Sequence, residues 1–282
     1  MPLMLILGLG YTASRLAMRL RARGWQVTGV RRAAGPDMLA FDDDAAVLAA
    51  IDGATHILSS VPPEGDGDPV LARYGGAIAA APASWVGYLS STGVYGDAAG
   101  AWVDEASPVG RGRRTARADA DLAWGALRPD MRRFRLPGIY GPGRSALDRV
   151  REGKAYRIDL PGQVFSRIHV DDIVAGVIAS FDGPPGVYNL ADDLPAPQNA
   201  VTEAACGLLG LPPPPLVTLE QANLSPMARA FYAENRRVAN GRAKRLLGWK
   251  PLHPTYREGL AACLCEEAGT ARRIVPVMVT NP

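Results

Sequence analysis

The chain has 282 residues, 48% of them hydrophobic and 21% charged, which is ordinary globular material with the length for a sizeable core in one or two domains. A net charge of +3 with no long basic block gives nucleic-acid binding little support, and no run approaches the roughly 20 apolar residues that span a bilayer. Met1-Pro2 runs straight into an apolar stretch without the pattern of an export signal, so a cytoplasmic location is expected. Cys206, Cys263 and Cys265 lack C-x-x-C spacing and an adjacent His cluster, and are expected to be reduced thiols with no metal to hold.

Leu3-Met4-Leu5-Ile6-Leu7 is uncharged throughout, as suits a central strand covered on both faces. It leads into Gly8-Leu9-Gly10-Tyr11-Thr12-Ala13, a G-x-G-x-x-A turn that opens a helix. Ala13, Leu16, Ala17 and Leu20 recur there at i, i+3, i+4 and i+7, and Arg15, Arg19, Arg21 and Arg23 fall on the water side. Gly24 stops the helix and residues 25–30 read as a second strand, which completes a βαβ unit. In that context the turn is a dinucleotide-binding fingerprint. Gly8 permits the sharp turn, Gly10 lets the backbone approach a pyrophosphate, and Ala13 permits close helix–strand contact. The start of the helix at Tyr11 and Thr12 offers unpaired N–H groups to the anion. Enzymes that prefer the unphosphorylated cofactor place Asp or Glu after the second strand, whereas this chain has Arg31-Arg32. Guanidinium groups can bind a 2′-phosphate, so NADP is the expected cofactor with NAD as the second choice; the other reading of these arginines is solvated loop charge.

From Arg32 the chain reads as loop until Asp42-Asp43-Asp44, which can cap a short helix through Leu48 and Ile51. Residues 55–61 form a third strand, with Ser59 and Val61 at the carboxyl end where ligands of such sheets collect, followed by Pro62-Pro63-Glu64-Gly65. His56, at the opposite end, is structural. A helix over about 69–81 and a fourth strand over 85–90 follow.

Leu89-Ser90-Ser91-Thr92-Gly93-Val94-Tyr95-Gly96-Asp97 resembles the active-site strand of the extended short-chain dehydrogenase/reductase superfamily, the group of nucleotide-sugar epimerases and dehydratases. Arg135-Leu136-Pro137-Gly138-Ile139-Tyr140-Gly141-Pro142 resembles its R-x-x-x-x-Y-G-P segment, Ile168-His169-Val170-Asp171-Asp172 its H-V-x-D segment, and Leu247-Gly248-Trp249-Lys250-Pro251 its L-G-W-x-P turn. The G-x-G-Y turn and short length are most similar to the atypical branch. The resemblance implies an α/β fold, a doubly wound Rossmann-type, mostly parallel sheet with a small C-terminal substrate lobe. It makes Ser91 the hydroxyl that holds the reacting oxygen and adds Pro137 to the cofactor contacts.

The resemblance breaks at the Tyr-x-x-x-Lys pair, which exchanges a proton with substrate and holds the nicotinamide ribose. Aligned through Asp121-Leu122, Arg113 stands for the tyrosine and Arg117 for the lysine, and residues 97–135 contain no tyrosine. A guanidinium keeps its proton near neutrality and cannot serve as a base. Arg117 could touch ribose hydroxyls as the lysine does, or belong to a solvated helix face. Tyr95 and Tyr140 are the phenols nearest the expected cleft and the candidate acids, set against a packing role in their loops. Trp102 and Trp124 read as core or lid residues.

Beyond Gly143, proline and glycine clusters divide the chain into short elements. His169 reads as a structural residue at a strand–helix junction, residues 187–190 as a strand and 199–209 as a helix ended by the tetraproline. The basic stretch 235–245 is a solvated face or an acidic-substrate site, and the tail after Gly269 is expected to be poorly anchored. Residues 1–142 are assigned to the NADP-binding core and 143–282 to the remainder of the fold and a capping lobe intertwined with it. The expected partner is a small polar, perhaps nucleotide-linked, substrate, with no nucleic acid and no membrane, and a homodimer is compatible with the chain. The functional expectation is an NAD(P)-binding oxidoreductase or epimerase; the competing one is a cofactor-binding sensor without turnover.

Overall fold

The computed structural model describes residues 1–35, 38–65, 67–110 and 115–274. In chain order its elements are β1 (Leu3–Leu7), α1 (Tyr11–Arg21), β2 (Gln26–Arg31), β3 (Met38–Ala40), α2 (Asp44–Gly53), β4 (His56–Ser59), α3 (Pro69–Ala80), β5 (Trp85–Ser91), β6 (Trp102–Val103), α4 (Thr115–Leu127), β7 (Met131–Leu136) and β8 (Gly138–Tyr140). There follow α5 (Ala146–Arg151), β9 (Arg157–Ile158), β10 (Arg167–His169), α6 (Val170–Ala179), β11 (Gly186–Asn189), α7 (Gln198–Leu209), β12 (Leu216–Val217), α8 (Pro226–Phe231), β13 (Arg237–Val238), α9 (Gly241–Leu247) and α10 (Tyr256–Ile274). A turn of 3₁₀ helix, Thr92–Tyr95, follows β5.

Seven parallel strands form the central sheet in the order β11-β7-β5-β4-β1-β2-β3. The order reverses between β1 and β4, and at such a switch point a crevice opens beyond the carboxyl ends of the strands. Burial on both faces follows from the alternation within β1. Met4 and Ile6 pack with Leu16, Ala17 and Leu20 of α1 and Ile173 and Val177 of α6, while Leu5 and Leu7 pack with Val47, Ile51, Tyr74 and Trp124 on the other side. The buried face of α1 is the stripe expected from its spacing, with Thr12 added. Gly24, at φ +80°, takes the left-handed conformation that ends the helical hairpin into β2.

Three expectations change. The stretch read as loop before Asp42 contains β3, which pairs Met38 with Gly29 and Ala40 with Arg31; three residues are too few to display an alternation, and the strand exists because β2 offers an open edge. Helix α7 is closed by Gly210 in the left-handed conformation at φ +66°, before the prolines begin. Trp124 is fully buried, but Trp102 is 59% exposed and belongs to no core. Within residues 143–282, β11 pairs with β7 and so completes the edge of the central sheet.

His56 sits where expected, among Trp25, Trp85 and Phe181, with ring centroids 4.7, 6.0 and 4.9 Å away. Burial, assisted by the positive charge of Arg132, lowers its pKa from 6.5 to about 4. The folded ring thus stays neutral over a range in which the unfolded one takes up a proton, and the chain should lose stability as pH falls from 6.5 toward 4. Urea midpoints across that window should fall less in His56→Leu than in wild type; parallel slopes would refute this source of acid sensitivity.

Candidate active site

The carboxyl edge of β1 turns at Gly8, whose φ of +89° and contact with Val61 both demand glycine: a Cβ would meet Val61 Cγ2 at 2.7 Å. Val61 is therefore half of the fit that shapes the turn. Gly8 and Leu9 donate their N–H groups to the Val30 carbonyl, at 3.0 and 3.2 Å. Gly10 is different. Its φ of −90° is ordinary, and a Cβ there would meet nothing nearer than the Gly8 carbonyl oxygen at 4.0 Å. Protein packing does not require glycine at this position; the space over it is open. Behind it α1 starts without a side-chain cap and without an acid in its first turn, and Thr12 and Ala13 are buried. Unpaired N–H groups and the positive end of the helix dipole face that space.

Tyr11 spans the cleft. Its hydroxyl donates to the Pro142 carbonyl at 3.0 Å, the Arg144 guanidinium lies 5.7 Å from its ring centroid, and Gly141 makes room, since a Cβ there would stand 2.5 Å from the phenol oxygen. Burial raises the phenol pKa to about 12. Arg31 Nε donates to the Leu9 carbonyl at 2.7 Å and Nη2 reaches the Ser14 hydroxyl at 3.5 Å, which fixes its guanidinium beside the glycine turn. Arg32 instead pairs at 2.5 Å with Glu64, in the loop after β4. Because β2 and β4 flank β1, this exposed pair crosses the end of β1. Ser59 is fully buried, and its hydroxyl has no hydrogen-bond partner among the described residues.

At the other side of the switch point, Ser91 ends β5 opposite Leu136, the residue before Pro137. Its hydroxyl accepts from Gly93 N at 3.1 Å and keeps its own proton to donate. Beneath it lies a network that spacing did not reveal. Asp121, fully buried on α4, accepts from Ser90 Oγ at 2.7 Å, Arg133 Nη1 at 2.9 Å and Arg135 Nη2 at 2.7 Å. Arg135 also donates to the Tyr95 hydroxyl at 3.0 Å, and Tyr95 donates to Asn189 Oδ1 at 2.7 Å. The available signal was three arginines in the six residues of β7, since guanidinium groups on a central strand need a buried acid. Tyr95 is thus engaged inside the sheet. Arg117, half-buried on α4 one turn before Asp121, is close enough to act on the charge of the Tyr88 phenol. Arg113 lies outside the described residues. The Tyr140 hydroxyl is buried without a partner among the described residues, closed against Gly259 of α10, and burial raises its pKa.

His169 caps α6, as its junction position suggested: Nδ1 accepts from Asp171 N at 3.2 Å. The remaining proton of the neutral ring is then on Nε2, 3.6 Å from Cys263 Sγ, and burial lowers the ring's pKa to about 4. Asp172 accepts from the N–H groups of Leu252 and His253 and pairs with His253 Nδ1 at 3.2 Å, while Trp249 donates to the Asp172 carbonyl. His169, Asp172 and His253 stand close enough together for a cation. With His169 Nδ1 accepting and Nε2 protonated, its ring has no lone pair to give, and the group is a tie between α6 and the segment before α10. In the basic stretch, Arg236 donates to the Gly96 carbonyl, Arg237 donates to the Gly100 carbonyl, and Lys244 pairs with Asp193. A cavity of about 410 Å³ opens between β8, α5, α7 and α10.

No helix among the described residues is long and apolar enough to cross a membrane. No family model matches the chain. Among curated proteins it is 34% identical over 139 residues to 3-diazoavenalumate denitrifying reductase of a Streptomyces species, an alignment that spans 45% of either protein. It is 30% identical over 238 residues to Protein YeeZ of Escherichia coli K12, covering 74% of this chain and 84% of that one. Among solved structures, a conserved protein of unknown function from Silicibacter pomeroyi is 44% identical over 94% of this chain and 99% of that one, with a TM-score of 0.87. Human epimerase family protein SDR39U1, solved with NADPH, is 20% identical over 93% and 99% of the two chains, with a TM-score of 0.75. With the parallel sheet and its switch point in agreement with these relatives, the chain belongs to the family of Protein YeeZ and has the fold of the epimerase family protein SDR39U1, the fold that the resemblance to the extended short-chain dehydrogenase/reductase superfamily implied.

Proposed function

We propose that the protein is an NADP-dependent oxidoreductase that acts on a small polar molecule. The observation that carries this reading is the open space over Gly10, bounded by the uncapped start of α1 and by Arg31 fixed beside the turn. These residues fit a dinucleotide. Gly8, Gly10, Tyr11, Thr12 and Ala13 would hold the pyrophosphate, Arg31 and Arg32 the 2′-phosphate, and Ser59, Val61 and Pro137 the edges of the cleft. When bound, the cofactor supplies hydride transfer. Residues 1–142 serve as the cofactor-binding core, and 143–282 supply the remainder of the fold and the lobe that caps the substrate. A relative named as a reductase favours reduction over epimerisation.

Ser91 donates its proton to the reacting oxygen while Gly93 N–H holds its own oxygen in place. Arg117 keeps a positive charge where the family places lysine, so it can polarise but not take a proton. Tyr95 and Tyr140 have pKa values raised by burial, stay protonated and are poor bases; the Tyr95 proton is already given to Asn189, and the Tyr140 hydroxyl is closed against Gly259. The lack of a tyrosine in residues 97–135 favours a second reading, a cofactor-binding sensor without turnover.

NADP(H) should bind more tightly than NAD(H), with the preference lost in Arg31→Ala combined with Arg32→Ala. Fluorescence titration of both cofactors checks this, and equal wild-type affinities would sink the assignment. Gly10→Val should abolish cofactor binding without unfolding the chain, because its side chain enters the open space rather than the core; a folded variant that still binds would move the site elsewhere. Sugar-nucleotide epimerase substrates should turn over slowly or not at all, since general acid–base help of about 10²–10⁴ in rate is missing. Arg113→Tyr with Arg117→Lys should raise any trace activity. Robust wild-type turnover that persists in Ser91→Ala, Tyr95→Phe and Tyr140→Phe would show that the active-site helix is aligned wrongly or that the acid lies elsewhere.

A further inference from the structure

We propose that the cavity between β8, α5, α7 and α10 takes a small substrate with an apolar body and one carboxylate, and that Arg144 and Arg149 hold that carboxylate. The inference rests on the oxidoreductase reading and names the substrate class for that site. The cavity starts at Gly138, two residues past Leu136, which is the register partner of Ser91. Its other flank is Arg144, stacked on Tyr11 where α1 leaves the glycine turn. The lining thus begins next in sequence to the strand pair that carries Ser91 and includes the arginine that packs on Tyr11.

Ile139, Tyr140, Val201, Tyr256 and Leu260 form the apolar part of a lining that otherwise carries mostly polar and charged groups. The charged groups around them differ in how far they are already used. Arg167 donates to the carbonyls of Phe165 and Ala196 and to Gln198 Oε1, so its fork is committed to the protein. Asp148 accepts from the backbone N–H and hydroxyl of Ser145, and Glu152 pairs with Lys154 at 2.9 Å. Both acids are satisfied within their own segment. Arg144 and Arg149 are exposed, and among the described residues neither pairs with a carboxylate; Arg149 gives one N–H to the Lys154 carbonyl at 3.1 Å and rests its face on Tyr156. Planar guanidinium donors left beside the apolar part of the wall suit a planar anion on an apolar body. At about 410 Å³ the chamber is toward the small end of the roughly 300–1,000 Å³ of ligand pockets, which favours a compact acid over a nucleotide sugar.

The test is calorimetric titration of the NADP-saturated protein with phenylacetate, an apolar body with one carboxylate, and with its methyl ester. The acid should bind about tenfold or more tightly than the ester, and Arg144→Gln and Arg149→Gln should each remove most of that difference while leaving ester binding unchanged. Failure of the acid to bind, equal affinities for acid and ester, or intact discrimination in both variants overturns the proposal. Displacement of the acid by UDP-glucose at lower concentration overturns it as well, in favour of a diphosphate. Fluorescence titration with NADP runs beside these measurements. A wild type that binds no NADP but still discriminates acid from ester leaves the cavity assignment standing and removes the oxidoreductase reading. The reverse result removes the cavity assignment alone.

Discussion

A carboxylate with no exposure to water holds the β5–β7–β11 half of the sheet together. Asp121 receives hydrogen bonds from β5 through Ser90 and from β7 through Arg133 and Arg135, and Arg135 extends the chain of contacts through Tyr95 to Asn189 on β11. One helix and three strands are thereby fixed relative to one another. Removing one partner of a buried ion pair typically costs about 3–5 kcal/mol, because the charge left behind is neither solvated nor matched. The consequence is local order where it matters: the ends of β5 and β7, which present Ser91 and Pro137, cannot shift independently of α4, which carries Arg117.

A second buried carboxylate does the same for the C-terminal part. Asp172 draws Leu252 and His253 onto the start of α6, and the indole of Trp249 closes the junction. Arg15 of α1 adds a bidentate contact to the neighbouring Asp171, at 2.8 and 3.0 Å. Helix α10 is thus brought under Tyr140 and against the cavity, with Gly259 leaving room for the phenol. The H-V-x-D and L-G-W-x-P segments act on each other, which explains why two stretches about eighty residues apart both bear the family pattern.

The glycines of the first turn separate two kinds of constraint. Gly8 is required by the protein itself, through its positive φ and the side chain of Val61. Gly10 is required by nothing the protein places around it. A position that is glycine without internal cause, next to an uncapped helix start, is best understood through what approaches from outside.

Much of this was legible in the residues alone. Four motifs gave the rest of the sheet through resemblance to a known family, whereas the glycine turn and its flanking strand and helix were specified by a local periodicity and a backbone need that sequence displays directly. The stripe of α1 and the structural roles of His56 and His169 followed in the same way. Other features needed the tertiary structure. The edge strand β3 is too short to carry a pattern and forms by pairing with β2. The phenols of Tyr95 and Tyr140 looked equivalent in sequence, yet one is tied to Arg135 and Asn189 and the other is shut against Gly259, since side-chain partners come from strands and helices remote along the chain. Which arginines are spent was equally undetermined. Arg133, Arg135 and Arg167 neutralise or cap buried groups, whereas Arg144 and Arg149 remain at a cavity rim, and only folding decides which charges meet a partner inside the protein and which are left to meet one from solution.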